Sequence, residues 1–453
     1  MTIAGTLARF AVQTHIVDLP DLALERAEMC ISSTLASVAA GIDIESARII
    51  RELALDDGGA AQSTIWFNDR KLSVTAAAKV NALASDAAAS DDSDMRSIAH
   101  IGTIISTTSI AMAEHIGASG MQVLEAMVIG YEIAGRIDES LTPGRMKNGF
   151  HGSFSTVFGG TVAVGKLLQL TEEQMTQAIA IAATSIGGMA IAADTSCARE
   201  YHAGMAASSG VQAALAAKRG FKSETSVLEA PRGFLSALGG TAIEEITQNF
   251  GRSWDICTDM AIKLMPGAHP FHAVAEAAAN AAIEGNVQPD DIQEIVISAA
   301  QMKDWMAPHH PTDLITAAHS VVYFVAAAIV DRGFTWIHIT QEKMLDPIIA
   351  MLQDKVVFDP NPTPLPDRFT HRHGGTVTIT LKDGRRFSNT CPAARGSGPT
   401  GVTWDEVDSK FNHLMPLSGL NTQKIQTIRE RVHQFRTLSS MAPLTELLTM
   451  NHP

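Results

Sequence analysis

From its start to about residue 260 this chain repeats apolar residues at helical spacing, and near residue 265 that pattern gives way to strand periodicity. The change constrains the fold strongly, because the two periods bury different faces and demand different layers. Pro20 and Asp21 open a first helix. Further helices are expected over 43–56, 73–90, 101–117, 119–140, 151–170, 171–188 and 202–220. Thr171-Glu172-Glu173-Gln174 is a capping box, and Gly187-Gly188 is read as the end of the helix it opens. Segments 101–117 and 175–190 are apolar nearly all round, as helices at the centre of a bundle are.

Beyond residue 265, Gln293–Ser298 reads as a strand and Asp313–Asp331 as a helix. Gly375–Leu381 alternates with period two, and Lys382-Asp383-Gly384 turns it into a second strand at Arg385–Ser388. After Gly396-Ser397-Gly398-Pro399 the chain is helical again, from Trp404 to Leu448. At 453 residues it is too long for a single core. The expected fold is mainly α: an all-helical domain of residues 1–265 and 400–453, and a smaller α/β (α+β) domain of residues 266–399.

A net charge of −14 argues against general nucleic-acid binding, which needs basic patches. The four cysteines are scattered and match no zinc spacing, so reduced thiols in a cytoplasmic protein are expected. The N-terminus lacks the pattern of a secretory signal. Charged residues interrupt each apolar run before about 20 residues, so no membrane span is expected.

Five places carry residues suited to chemistry. Lys263-Leu-Met-Pro-Gly-Ala-His269-Pro-Phe-His272 sets an ammonium and two imidazoles around a turn, directly before an Ala-rich helix over Ala273–Glu284. Pro270 suits that helix's first turn, and the positive helix end suits a carboxylate; an ordinary turn with incidental histidines reads equally well. Asp91, Asp92 and Asp94 crowd one loop before His100. That loop has no EF-hand spacing and reads as solvated rather than metal-binding, while His100 either faces a cleft or caps the next helix. Gly149-Phe150-His151-Gly152 allows close approach of a ligand, or simply starts a helix. Arg199 offers a carboxylate fork near His202. Tyr323 lies in an apolar helix after His319, where a tyrosine is more often core than catalyst. No dinucleotide fingerprint, phosphate loop, nucleophile elbow or HExxH motif is present, so an enzyme without cofactor or metal is expected.

Taken in order, these motifs resemble the MmgE/PrpD family. Ala89-Ser90-Asp91-Asp92-Ser93 with His100 stands for that family's Asp-x-Asp-Asp-Thr and following His. Gly149-Phe150-His151 precedes Phe158-Gly159, Arg199-Glu-Tyr-His202-Ala-Gly204 stands for Lys-x-x-His-Ala-Gly, Lys263 precedes His269, and Ser320 to Ala327 matches a Ser-x-x-Tyr helix. The resemblance implies a helical domain with a small lid domain, an active-site cleft between them, a homodimer, no cofactor, and a small polycarboxylate substrate. It also implies roles. Arg199 and Lys263 stabilise developing negative charge, His151 and His202 with Asp91 and Asp92 bind substrate, and His269, Tyr323 and His100 are the candidates for proton transfer. The departures at Ala89, Ser93 and Arg199 argue against dehydration and decarboxylation. They bring the chain nearest the family's epimerases of iminodisuccinate, with a tricarboxylate lyase or a non-catalytic polycarboxylate binder as alternatives.

Overall fold

Small residues let helices approach closely, and the helical part of this chain is built on that. The computed structural model describes residues 1–95, 99–152, 155–185, 187–300, 302, 308–363, 365, 374–398 and 400–450. It divides the chain into two compact units, Met1–Ile262 with Thr403–Pro453, and Lys263–Val402.

In the first unit every residue from Ile101 to Ala113 is buried, so the Ile101–Ile116 helix lies at the centre, as its all-round apolar pattern requires. The Val157–Leu167 helix reaches it through glycines: a Cβ on Gly159 would lie 2.6 Å from the Ile105 side chain. The helices Asp21–Gly41, Val74–Ala87, Gly120–Leu141 and Ala198–Lys218 complete the packing that matters for the site. The expected capping box at Thr171 is present, but its helix ends at Ala182, short of Gly187, and buries only one face. The helix from Val74 also stops early, at Ala87. Ala89 then takes a positive φ of 51°, which turns the chain into the Ser90–Asp92 loop.

This unit is not all-helical. Ser63–Thr64 pairs with Lys71–Leu72, and Ser93–Asp94 pairs with Met260–Ala261, both antiparallel. These two-residue ribbons are too short to leave a period-two signal. Residues 153–154 of the expected 151–170 helix, Ile186 of the next, and Pro399 lie outside the described residues. Within 151–170 the described helix is Val157–Leu167. The returning segment forms the helices Trp404–Leu414, which packs on Asp21–Gly41, and Thr422–His433.

The second unit holds a four-stranded mixed sheet in the order Val356–Phe358, Ile292–Ser298, Gly375–Leu381, Arg386–Cys391. The expected hairpin is there, with Thr378 opposite Ser388, and its first strand alternates buried and half-buried residues. Val356–Phe358 runs parallel to Ile295–Ile297 and escaped the sequence reading for want of length. The helices His272–Glu284 and Val321–Asp331 share a core with the sheet through Val274, Phe324, Ile295 and Ile379. The helix expected over 313–331 is two, Leu314–Ala318 and Val321–Asp331, because the Ser320 hydroxyl accepts from the Tyr323 amide and caps the second. Pro270 lies in a 3-10 turn, and the Ala-rich helix begins at His272. Among the described residues no single helix is long and apolar enough to cross a membrane.

Candidate active site

The site grows from two helix ends and the loop between them. The Val74–Ala87 helix finishes on Asp86, the turn at Ala89 presents Asp91, and His100 stands immediately before the Ile101 helix. His100 does not cap that helix with its ring. Its Nδ1 lies 2.5 Å from Asp91 Oδ2 and 2.8 Å from Asp86 Oδ1. One N–H cannot serve both well; its direction favours Asp91, and Asp86 contributes as a charge. Asp86 is held from the other side by Arg199, whose Nε donates to Oδ2 at 3.0 Å while Nη2 donates to the Asp86 carbonyl at 2.6 Å. Arg199 comes from the first turn of the Ala198–Lys218 helix and is only 7% exposed. It is therefore not an open carboxylate fork, since much of its guanidinium is committed to Asp86.

His151 follows the short helix Gly144–Lys147 and packs beside His100, with ring centroids 5.3 Å apart; His202 is 6.0 Å beyond it. The His151 amide donates to the Gly188 carbonyl at 3.0 Å. Gly188 has φ +130°, and a Cβ there would lie 3.2 Å from His202 Nδ1. Gly188 thus links two histidines in a conformation that L side chains rarely adopt, rather than ending a helix. His202 Nδ1 is buried and has no hydrogen-bond partner among the described residues.

These neighbours drive the imidazoles apart in charge. Burial pulls the His100 pKa down, but the carboxylates of Asp91 and Asp86 outweigh it and hold the ring above its ordinary value. Burial pushes His151 well below its ordinary value, and the adjacent His100 charge pushes the same way. Burial likewise lowers His202. For Asp86, burial is outweighed by Arg199 and His100, which keep its carboxyl well below the usual range. A ring that keeps its proton to higher pH, beside one that stays neutral to lower pH, can respectively give and take a proton.

The other sequence candidates divide. Asp92 is turned away from His100: its Oδ1 accepts from Ser33 Oγ at 2.6 Å and lies 3.9 Å from Lys410 Nζ, and the residue is 1% exposed. Tyr323 belongs to the core of the second unit. Its hydroxyl donates to the His338 carbonyl, its ring is fully buried against Phe334, and burial raises its pKa far above the ordinary tyrosine value. The helical pattern around Tyr323 already contained that outcome. Lys263 opens the second unit and is buried there, and His269 is buried with its ring 4.6 Å from that of His272.

Sequence reasoning missed four residues that build the site. Asp86 ends an Ala-rich helix and matches no motif. Arg145 and Asp138 form a buried ion pair at 3.3 Å, and Arg145 Nη1 donates to the Phe150 carbonyl beside His151. Lys410 arrives from the returning helix. The available signal for Asp138 and Lys410 was their place on helix faces that also bury Leu141, Val407 and Phe411.

Fold and site together define a mainly helical protein with a smaller α/β unit, in which one buried and two half-buried histidines are set among carboxylates and an arginine. The chain belongs to the MmgE/PrpD family: residues 5–246 match the MmgE/PrpD N-terminal domain and residues 265–434 the C-terminal domain. It is similar to the cis-aconitate decarboxylase of Homo sapiens, 26% identical over 99% of this chain and 95% of that protein. It is also similar to a cis-aconitate decarboxylase of Aspergillus terreus, 25% identical over 98% of this chain and 96% of that protein. A cis-aconitate decarboxylase-like protein of Aspergillus oryzae is 23% identical over 99% of this chain and 97% of its own length.

Proposed function

We propose that this chain is an enzyme that moves a proton at a carbon next to a carboxylate of a small polycarboxylate, and that the outcome is epimerisation of an iminodisuccinate-like substrate. One observation carries the reading: the His100 and His151 rings lie with centroids 5.3 Å apart, one held above its ordinary pKa by two carboxylates and the other pushed below it by burial. Inverting a stereocentre needs an acceptor for the departing proton and a donor for the returning one. In the proposed step His151 takes the proton from carbon, the electron pair spreads into the carboxylate as an enediolate, and His100 returns a proton to the same carbon. Solvent then resets both rings. The part of the Arg199 guanidinium not spent on Asp86 offsets the enediolate charge, a contribution that grows where water is excluded.

A second reading is decarboxylation of a tricarboxylate. It is favoured by the names of relatives that align with almost the whole chain. Proton NMR in deuterated water separates the two. With iminodisuccinate stereoisomers, the expected result is interconversion with deuterium entering at the methine carbon and no carbon dioxide released. Release of carbon dioxide from cis-aconitate, without exchange or interconversion of iminodisuccinate, would replace the epimerase reading by the decarboxylase one.

A further inference from the structure

Lys410 is a lysine with 1% of its surface exposed, delivered by a helix nearly 320 residues further along the chain than the loop it touches. Its Nζ donates to Ser33 Oγ at 2.6 Å and to the Ser90 carbonyl at 2.5 Å, and lies 3.9 Å from Asp92 Oδ1. Ser33 Oγ in turn donates to Asp92 Oδ1 at 2.6 Å. The ammonium is therefore fastened to both residues that precede and follow Asp91, while Asp91 holds His100 Nδ1 at 2.5 Å. A buried lysine is costly unless its partners are fixed; here Ser33 belongs to the Asp21–Gly41 helix, while Ser90 and Asp92 belong to the loop that carries Asp91.

We propose that Lys410 is a positioning residue for His100: clamping Ser90 and Asp92 holds the Asp91 carboxylate on the imidazole between them. The effect on kinetics rests on the proton-transfer function proposed above; the effect on His100 itself does not. The titratable groups facing His100 are Asp86, Asp91, His151 and His202, with Arg199 on the far side of Asp86. Those around Lys410 are Asp92, Ser33, Ser90 and the buried Cys30 thiol, next to Tyr131. Two effects of removing Lys410 then oppose each other. Losing a nearby positive charge by itself raises the His100 titration midpoint, whereas loosening Asp91 lowers it.

The test is the titration of His100 by NMR of the intact protein with 15N-labelled histidine, in Ser33→Ala and Lys410→Met. Ser33→Ala keeps the lysine charge and removes only the hydroxyl between it and Asp92, so it is the deciding variant, including where Lys410→Met does not fold. Ser33→Ala, in which only the loosening acts, is expected to titrate lower than the parent protein, whereas Lys410→Met is read by its kinetics. The kcat of both variants is expected to fall by about 10–100-fold, the scale of a misplacement of about 1 Å, with KM within about twofold. A His100 midpoint in Ser33→Ala that is unchanged or raised overturns the proposal. A lowered midpoint in a protein that turns over no polycarboxylate leaves the positioning role standing and removes the proposed function instead.

Discussion

His100 has two carboxylates on one ring nitrogen, and that arrangement sets how its charge answers pH. Its folded pKa lies above the ordinary value of about 6.5, so its ion pairing stabilises the fold fully below that value and is lost as pH rises through the folded one. Asp86 has the opposite sign: its pairing is present above the ordinary aspartate value and is lost as pH falls through the depressed one. The His151 pKa is held below the ordinary value, so acid conditions favour the unfolded chain, in which that ring takes a proton more readily. Turnover in the proposed mechanism requires His100 charged and His151 neutral. The kcat/KM profile is therefore expected to be bell-shaped, with the acid limb below about 6.5 set by His151 and the alkaline limb above it set by His100. His151→Gln should erase the acid limb; a profile that keeps it would take His151 out of the reaction. Asp86, Asp91 and His100 also place ligand atoms within 4.8 Å of one another, a spacing a metal ion could use. The two carboxylate charges are already matched by His100 and Arg199, so a cation entering here has to displace a proton or a guanidinium. Activity is expected to survive dialysis against EDTA. Loss of activity restored by one divalent metal alone would show that the cluster is a metal site.

At the scale of helices, the site depends on a close crossing far from any histidine. Gly41 ends the Asp21–Gly41 helix, and a Cβ there would lie 1.8 Å from the Ala84 carbonyl oxygen. That oxygen belongs to the backbone of the Val74–Ala87 helix, two residues before Asp86, so the helix itself has to move. Gly41→Ala is expected to cost about 1–3 kcal/mol, as overpacking does, and to lower kcat by displacing Asp86. Denaturant unfolding and steady-state kinetics on the same preparation check both; unchanged values would mean that the crossing relaxes without moving the site. The long helices were legible in the sequence because their apolar period runs over many residues. Their ends were not, because Ala89 and Ser320 terminate or restart a helix through one dihedral or one hydroxyl. The site was legible where histidines stand beside glycines, and illegible where neighbours differ only in direction. Asp91 and Asp92 are alike in sequence, yet Asp91 meets His100 while Asp92 meets Ser33.

Across the whole molecule, the chain leaves the first unit at Ile262 and returns to it at Thr403. The return is part of that unit's core rather than an appendage. Phe411, Met415, Ile428, Val432, Phe435 and Leu448 are all buried, and the Phe67 amide donates to the Leu448 carbonyl at 2.7 Å. Each such side chain contributes about 1.5–3 kcal/mol by burial, so the six together are as large as the roughly 5–15 kcal/mol net that separates a folded domain from an unfolded one. Arg436 adds ion pairs to Asp21 and Glu28, and Lys410 brings a positive charge within 3.9 Å of Asp92 Oδ1. A chain ending at residue 402 keeps every histidine, carboxylate and arginine proposed to do chemistry. It is nevertheless expected to lose activity and the cooperative unfolding of the first unit, because it removes the Lys410 ammonium from beside the buried Asp92 carboxylate and opens the face of the Asp21–Gly41 helix. The second unit has its own core and is expected to keep its strand signal in circular dichroism. Adding residues 403–453 as a separate polypeptide should restore part of both properties. If the shortened chain instead unfolds at the same denaturant concentration as the full one and keeps its kcat, the returning helices are an appendage and Lys410 does not hold the site.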